Sequence, residues 1–332
     1  MNKNKAISIT VLGIVILFIA IALSITYGTK SVGLSHVLDA VLGRNTDVYE
    51  VNIVQTRIPR TLFGIIAGAS LSISGVLMQS ITRNPIADPS ILGVNAGASL
   101  FIVAGIAFFN IQSKISYIGL SFAGAMLTAL VVYKLASVGY GGPTPIKLAI
   151  SGSATSIALS SIISLIVMPD SSVMTTYRFW QIGSIGGTNY DDIKLILPIT
   201  ILAIIVSLCF SGNLNTLLLS EETAIALGLN VNRTRAIAAI CGVLLCATTT
   251  ALAGPISFIG LMVPHFIRMI VGSNHIPLII CSGIYGSSVL IISDVLGRIL
   301  GRPGELESGI MTALIGAPVF IFIIRKAKVQ SL

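Results

Sequence analysis

The chain has 332 residues, of which 54% are hydrophobic and only 10% charged, with a mean hydropathy of +0.96. Soluble domains carry about 25% charged residues, so this composition excludes a water-covered globule and leaves an all-α integral membrane protein with many spans. The formal charge of +8 is therefore not read as a nucleic-acid footprint, because basic residues in such proteins flank the spans and set topology.

The first element, "AISITVLGIVILFIAIALSITY", runs from Ala6 to Tyr27 behind Lys3 and Lys5. It exceeds the roughly 7–15 apolar residues of a signal-peptide core and no A-x-A site follows. It reaches the about 20 residues that cross a bilayer, and it is read as a span. Apolar runs punctuated by Gly, Pro, Asn and Asp predict further spans at 61–81, 90–109, 115–136, 146–168, 193–210, 236–253, 257–271, 277–296 and 308–324. Ten spans in one domain, 1–332, put both termini on one side. Lys3 and Lys5 at one end, with Arg325, Lys326 and Lys328 at the other, make that side cytoplasmic.

This topology leaves Lys30, Arg44, Arg57, Arg60, Lys114, Arg178, Lys194, Arg298 and Arg302 outside. The charge bias is weak, and arginines held outside need a reason. One plain reason for Arg57 and Arg60, which flank Pro59, is snorkelling into headgroups. Asp294 stands one turn before Arg298 and is placed to pair with it.

Between the second and third spans lies "RNPIADPSILGVNAG", residues 83–97. Asn84-Pro85 and Asp88-Pro89 each match a helix start, a capping side chain followed by Pro at the first helical position. The stretch is expected to turn at the cytoplasmic surface and to begin the third span at Pro89.

"GIIAGASLSISG" (64–75) and "AISGSATSIALSS" (149–161) are rich in small and hydroxyl residues. Such residues let helices approach closely or line a wet path, and the second run points to a pathway. The segments beginning at Arg60 and Arg235 are alike and stand an odd number of places apart in the span order, the second and the seventh, a pattern that predicts an inverted repeat. Span interiors carry almost no ionisable residue, since Lys134, Lys147, Arg268 and Asp294 lie toward span ends. An ion-coupled secondary transporter, the alternative class, would need an intramembrane relay.

Cys209, Cys241, Cys246 and Cys281 show no C-x-x-C spacing and read as core residues, while His36, His265 and His275 are scattered, so no metal site is expected. No G-x-x-x-x-G-K-[ST] loop is present, so the chain has no ATPase site of its own. The most polar inside segment, 211–234, predicts a short helix capped by Ser220, with Glu221 and Glu222 in its first turn and Gly228 at its end.

Four blocks, "RIPRTLFGIIAGASLSISGVLMQSITRNPIADPSILGVNAGA" from Arg57, "SEETAIALGLNVNRTR" from Ser220, "GPISFIGLMVPHFIRMIVG" from Gly254 and "ELESGIMTALIGAPVF" from Glu305, resemble the FecCD-type permeases in the family's order. These are membrane subunits of ABC importers for ferric siderophores, haem and cobalamin. The resemblance implies ten helices per subunit, a second permease subunit (identical or paralogous), two copies of an ATPase subunit and an extracytoplasmic substrate-binding protein. It also implies residence in the cytoplasmic membrane of a bacterium, in contact with lipid, and no cofactor. Glu221, Glu222, Ala224, Leu227 and Gly228 match the block that docks into the ATPase. Arg57, Arg60 and Arg298 match positions that receive glutamates of the binding protein. Ser156, Ser160, Gly309 and Thr312 lie on the helices that line the path. A short outer helix bearing Trp180 is implied near the gate. The cargo the resemblance suggests is an iron(III)-siderophore complex, with haem or cobalamin as alternatives.

Overall fold

The computed structural model describes residues 3–33, 36–37, 48–139 and 143–326. Arg44 and Lys328, both used in the charge argument, lie outside the described residues. The described residues form thirteen α-helices: α1 Lys3–Thr26, α2 Val48–Thr82, α3 Val94–Phe109, α4 Lys114–Ala136, α5 Pro145–Val167, α6 Ser171–Ile182, α7 Tyr190–Cys209, α8 Ser211–Leu217, α9 Glu221–Ala226, α10 Val231–Ala253, α11 Ile259–Val271, α12 His275–Leu300 and α13 Ser308–Lys326. Seven are long and apolar enough to cross a membrane, and α3, α11 and α13 are shorter apolar helices. Together they correspond to the ten expected spans.

Helix α2 is the axis of the bundle, packed on α10, α11 and α12. The sequence permits this because glycines stand where the backbones cross. A Cβ on Gly68 would stand 2.4 Å from the Gly286 carbonyl, and one on Gly75 would stand 1.7 Å from that of Gly260. Hydroxyls bridge the same seams, from Ser74 to the Gly242 carbonyl at 2.6 Å and from Ser287 to that of Ile65 at 2.7 Å. Such small-residue interfaces replace the hydrophobic drive that helices lack in lipid. By contrast α1 lies on the periphery, with Ile7, Val11, Phe18 and Ile19 exposed along it.

The bundle has two ends. Arg83, at the close of α2, donates to the Leu217 carbonyl, and the His275 backbone donates to Asn215, so these groups share the end that carries α8 and α9, here the loop end. At the opposite, arginine end, Arg57 reaches the last turn of α1. Helix α2 begins at Val48 rather than near residue 61, so Arg57, Pro59 and Arg60 sit inside it.

Residues 83–97 depart from the expected surface turn. Asn84 caps only a turn, accepting from the Ile86 backbone. Asp88 does act as a cap, accepting from the Ser90 backbone at 2.9 Å, yet the helix it opens is a single 3-10 turn, Pro89–Leu92. Gly93, at φ 70°, ends that turn, and α3 starts only at Val94. Ala87, Pro89, Leu92 and Val94 are buried. Pro89 packs on Gly260, itself beside the Leu71 carbonyl, eleven residues or about 16 Å up α2 from Thr82. The stretch therefore climbs into the bundle. Irregular backbone at that depth is tolerated where protein covers it.

The same construction recurs upside down. Helix α10 rises from the loop end to the arginine end, breaks over residues 254–258, and is followed by α11 running back to the loop end. At 16 and 13 residues, α3 and α11 reach only about 24 and 20 Å, short of the roughly 30 Å hydrocarbon core. A glycine clasps each break. A Cβ on Gly152 of α5 would lie 1.6 Å from the Ile91 carbonyl, and one on Gly316 of α13 would lie 2.5 Å from Phe258 Cβ. The pattern is that of the expected inverted repeat, now resting on backbone course rather than on likeness of residues.

Gly152→Ala is expected to push the 89–93 turn out of place and destabilise the protein by about 1–3 kcal/mol, the usual cost of overpacking. Gly119→Ala, where a Cβ meets nothing within 4 Å, is the control and should be neutral. Thermal unfolding in detergent reads both. Equal melting temperatures for the two variants would show that the contact with Ile91 does not constrain α5.

Candidate functional sites of a membrane permease

At the loop end, Ser220 Oγ accepts from the Thr223 backbone at 2.9 Å and starts α9, with Glu221 and Glu222 in its first turn. Gly228, at φ 82°, closes the helix, and the Leu229 amide returns to the Ala224 carbonyl at 2.9 Å. This is the left-handed closure that glycine favours. The five residues expected to act together here divide by burial. Glu222, Leu227 and Gly228 are exposed, and Leu219, Ile225 and Leu227 form an apolar edge with about two thirds of each side chain in the open. Ala224 is fully buried against Leu217 and Val231 and anchors the helix. Glu221 faces inward, pairing with Arg235 at 2.8 and 3.3 Å, and that guanidinium is 1% exposed on α10.

At the arginine end, the carbonyls that α1 cannot satisfy internally are taken by guanidinium groups. Arg57 donates to Ile25 and Thr26 at 2.8 and 3.0 Å, and Arg298 donates to Ser24 and Tyr27 at 3.0 and 3.1 Å. Arg302 donates to Gly28. Positive charge at a helix C-terminus also opposes the helix dipole. Buried Asp294 accepts from Arg60 Nε and Nη2 and pairs with Arg298 Nε at 3.0 Å, as the one-turn spacing suggested. Arg60 continues to Glu305 at 2.7 Å. Snorkelling is excluded for Arg57, which is buried, and Arg60 is held between Asp294 and Glu305. The three arginines singled out from the sequence do converge. With Lys30 and Glu305 they line a cavity of about 180 Å³.

A third site lies between α3, α5, α6 and α13. Asn95, Ser99, Ser160, Tyr177, Gln181, Ser257 and Gly309 border a cavity of about 320 Å³. Ser160 and Gly309 were expected on a pathway. Ser156 and Thr312 are not brought to this cavity. Thr312 is buried with its hydroxyl on the Gly309 carbonyl at 3.0 Å, and Ser156 instead stands beside Gly93. Asn95 is fixed by Thr250, which donates to its Oδ1 at 3.2 Å. Trp180 sits on the expected short helix, α6, stacked on Tyr177 at 6.4 Å. Burial raises the Tyr177 phenol, outweighing an opposing hydrogen bond with Ser99, so its proton is retained. Sequence reading missed Asn95, Ser99, Gln181 and Ser257 as one lining. The available signal was uncharged polar residues flanking both helix breaks.

The comparisons with known proteins agree with this geometry. The ferric enterobactin transport system permease FepD of Escherichia coli (strain K12) is 40% identical over 94% of this chain and 93% of its own. The Fe(3+)-citrate import system permease YfmD of Bacillus subtilis (strain 168) is 37% identical over 98% and 97%. A solved structure described as a metal-chelate type ABC transporter in an inward-facing conformation superposes with a TM-score of 0.84 at 28% identity, covering 97% of this chain and 99% of that one. The FecCD transport family model matches residues 16–326, and the chain belongs to that family of ABC-importer membrane permeases.

Proposed function

We propose that this permease passes an iron(III)-siderophore complex into the cytoplasm of a bacterium, driven by ATP that a separate pair of ATPase subunits hydrolyses. Similarity to permeases named for ferric enterobactin and ferric citrate carries the cargo reading. The loop end faces the cytoplasm and, with it, both termini. A second permease subunit completes the path, since a bulky chelate needs walls beyond the 320 Å³ cavity of one subunit.

The exposed edge of Leu219, Ile225 and Leu227, with Glu222 and Gly228, is the surface offered to the ATPase. Its inner side is tied to α10 through Glu221 and Arg235, and α10 holds Asn95 through Thr250. One helix therefore touches both the coupling surface and the cavity. A displacement of α9 that Arg235 follows reaches the cavity wall as a rigid shift. The arginine end faces outside. There the cavity lined by Lys30, Arg57, Arg60 and Arg298 receives acidic side chains of the binding protein, since complementary charge orients docking and speeds encounter.

Reconstituted importer supplied with ferric siderophores, ferric citrate, haem and cobalamin should transport a ferric chelate. Transport of haem or cobalamin alone would overturn the cargo. For coupling, Ile225→Asp with Leu227→Asp should cut co-purification of the ATPase at least tenfold while leaving the melting temperature unchanged, because both residues are exposed. Glu221→Gln should instead leave the surface intact and lower transport, since it removes the charge that ties α9 to the buried Arg235 guanidinium. Normal uptake by both variants would remove α9 from the coupling role.

Docking is tested at the exposed member of the cavity. Lys30→Glu should weaken binding-protein affinity several-fold at low salt, where such pairs are least screened, and the loss should shrink at high salt. Arg57→Glu and Arg60→Gln are uninformative for docking, because the first strips the end of α1 and the second unpairs buried Asp294. An affinity unchanged in Lys30→Glu would leave this cavity without a docking role.

A further inference from the structure

Helices α4 and α10 leave a cleft between them toward the loop end. Met126, Leu130 and Tyr133 of α4 and Ala236, Ile240 and Val243 of α10 line a cavity of about 240 Å³ there, and Leu130 and Ile240 stand half exposed at its mouth. The lining is almost wholly apolar. Its end is not. Lys134 lies one turn beyond Leu130 on α4, and Arg233 lies one turn before Ala236 on α10, each on the same helical face as the lining residues of its own helix. The two helices run in opposite directions, so both cations stand at the loop end of the cleft. Both are exposed, and among the described residues neither side chain has a hydrogen-bonding or ionic partner.

We propose that this cleft binds one anionic phospholipid, with an acyl chain between α4 and α10 and the phosphate held by Lys134 and Arg233. The dimensions fit. From Arg233 to Val243 is ten residues, a rise of about 15 Å, which is half of the roughly 30 Å hydrocarbon core and so the depth of one leaflet. An apolar cleft that opens sideways at this depth is closed by lipid chains, and basic pockets between helices at the cytoplasmic surface suit anionic head groups. The contrast with the arginine end supports the assignment. There the guanidinium groups are taken up by carbonyls and carboxylates, whereas Lys134 and Arg233 are uncommitted. A zwitterionic head group offers the phosphate but adds an ammonium that these cations would repel.

Native mass spectrometry of the full chain, with phosphatidylglycerol and phosphatidylethanolamine of equal chain length, tests the site. One phosphatidylglycerol should be retained in preference to phosphatidylethanolamine. Lys134→Gln with Arg233→Gln should abolish that preference, with at least a tenfold loss of phosphatidylglycerol retention. Ala236→Phe fills the cleft with both charges intact and should lower retention of either lipid several-fold. Three results would each overturn the proposal: equal retention of the two lipids by the unaltered protein, full retention in Ala236→Phe, or a double-Gln variant that loses an ATPase partner but no lipid. The readout is lipid rather than transport, so its failure is separable from failure of the importer reading.

Discussion

Every backbone carbonyl and amide inside a bilayer must find its partner within the protein, and this fold repeatedly places backbone where a helix cannot supply one. The stretches 83–93 and 254–258 interrupt the helical ladder within the bundle. They survive because neighbouring helices close over them, Gly152 of α5 against Ile91 and Gly316 of α13 against Phe258. The first break also meets the start of α11, Pro89 against Gly260, with α2 beside them. Covering two breaks from all sides requires close backbone approach, which is why the seams of α2 carry Gly68, Gly75 and buried serines among larger residues such as Leu77 and Met78. The cavity then follows from the same constraint. Where the two breaks lift backbone away from the helical course, Asn95 and Ser257 border open space.

The parts of this arrangement that rest on local chemistry were legible in the sequence. Ser220, Glu221, Glu222 and Gly228 mark α9 because a cap and a left-handed stop are local events. The ten apolar runs stood out because lipid demands length and hydropathy of each run separately. Residues 83–97 misled for the same reason. Asp88-Pro89 carries the signature of a helix start, and Asp88 does cap, but whether one turn or a whole span follows depends on Gly93 and on what α5 and α11 leave room for. The burial of Ala224 was not legible because it depends on Leu217 and Val231, residues on either side of it in sequence that meet only when α8, α9 and α10 fold together. Likewise nothing local distinguishes Ser160, on the cavity, from Ser156, which faces Gly93. One turn of α5 separates them, and the neighbouring helices decide which is wet.

The arginine end shows how residues that secure the fold would also serve the proposed docking. A carboxylate as buried as Asp294 is tolerable only while paired, and removing one partner of such a pair costs about 3–5 kcal/mol. Arg60 and Arg298 both hold it, and Arg298 also closes α1. The positive charge left over after Asp294 is answered faces the cavity, where Glu305 meets part of it. An acidic side chain arriving from outside would therefore find guanidinium groups already fixed in place by carbonyls behind them, with little side-chain entropy left to lose. That preorganisation would make the proposed docking contact stronger than the ~0.2–1 kcal/mol of a flexible surface pair. It also explains why arginine rather than lysine stands here. A guanidinium presents five donors in a rigid fork, so it can serve an α1 carbonyl and a carboxylate together, as Arg298 does, whereas an ammonium at the same place would be a point charge with no fixed fork to divide between them.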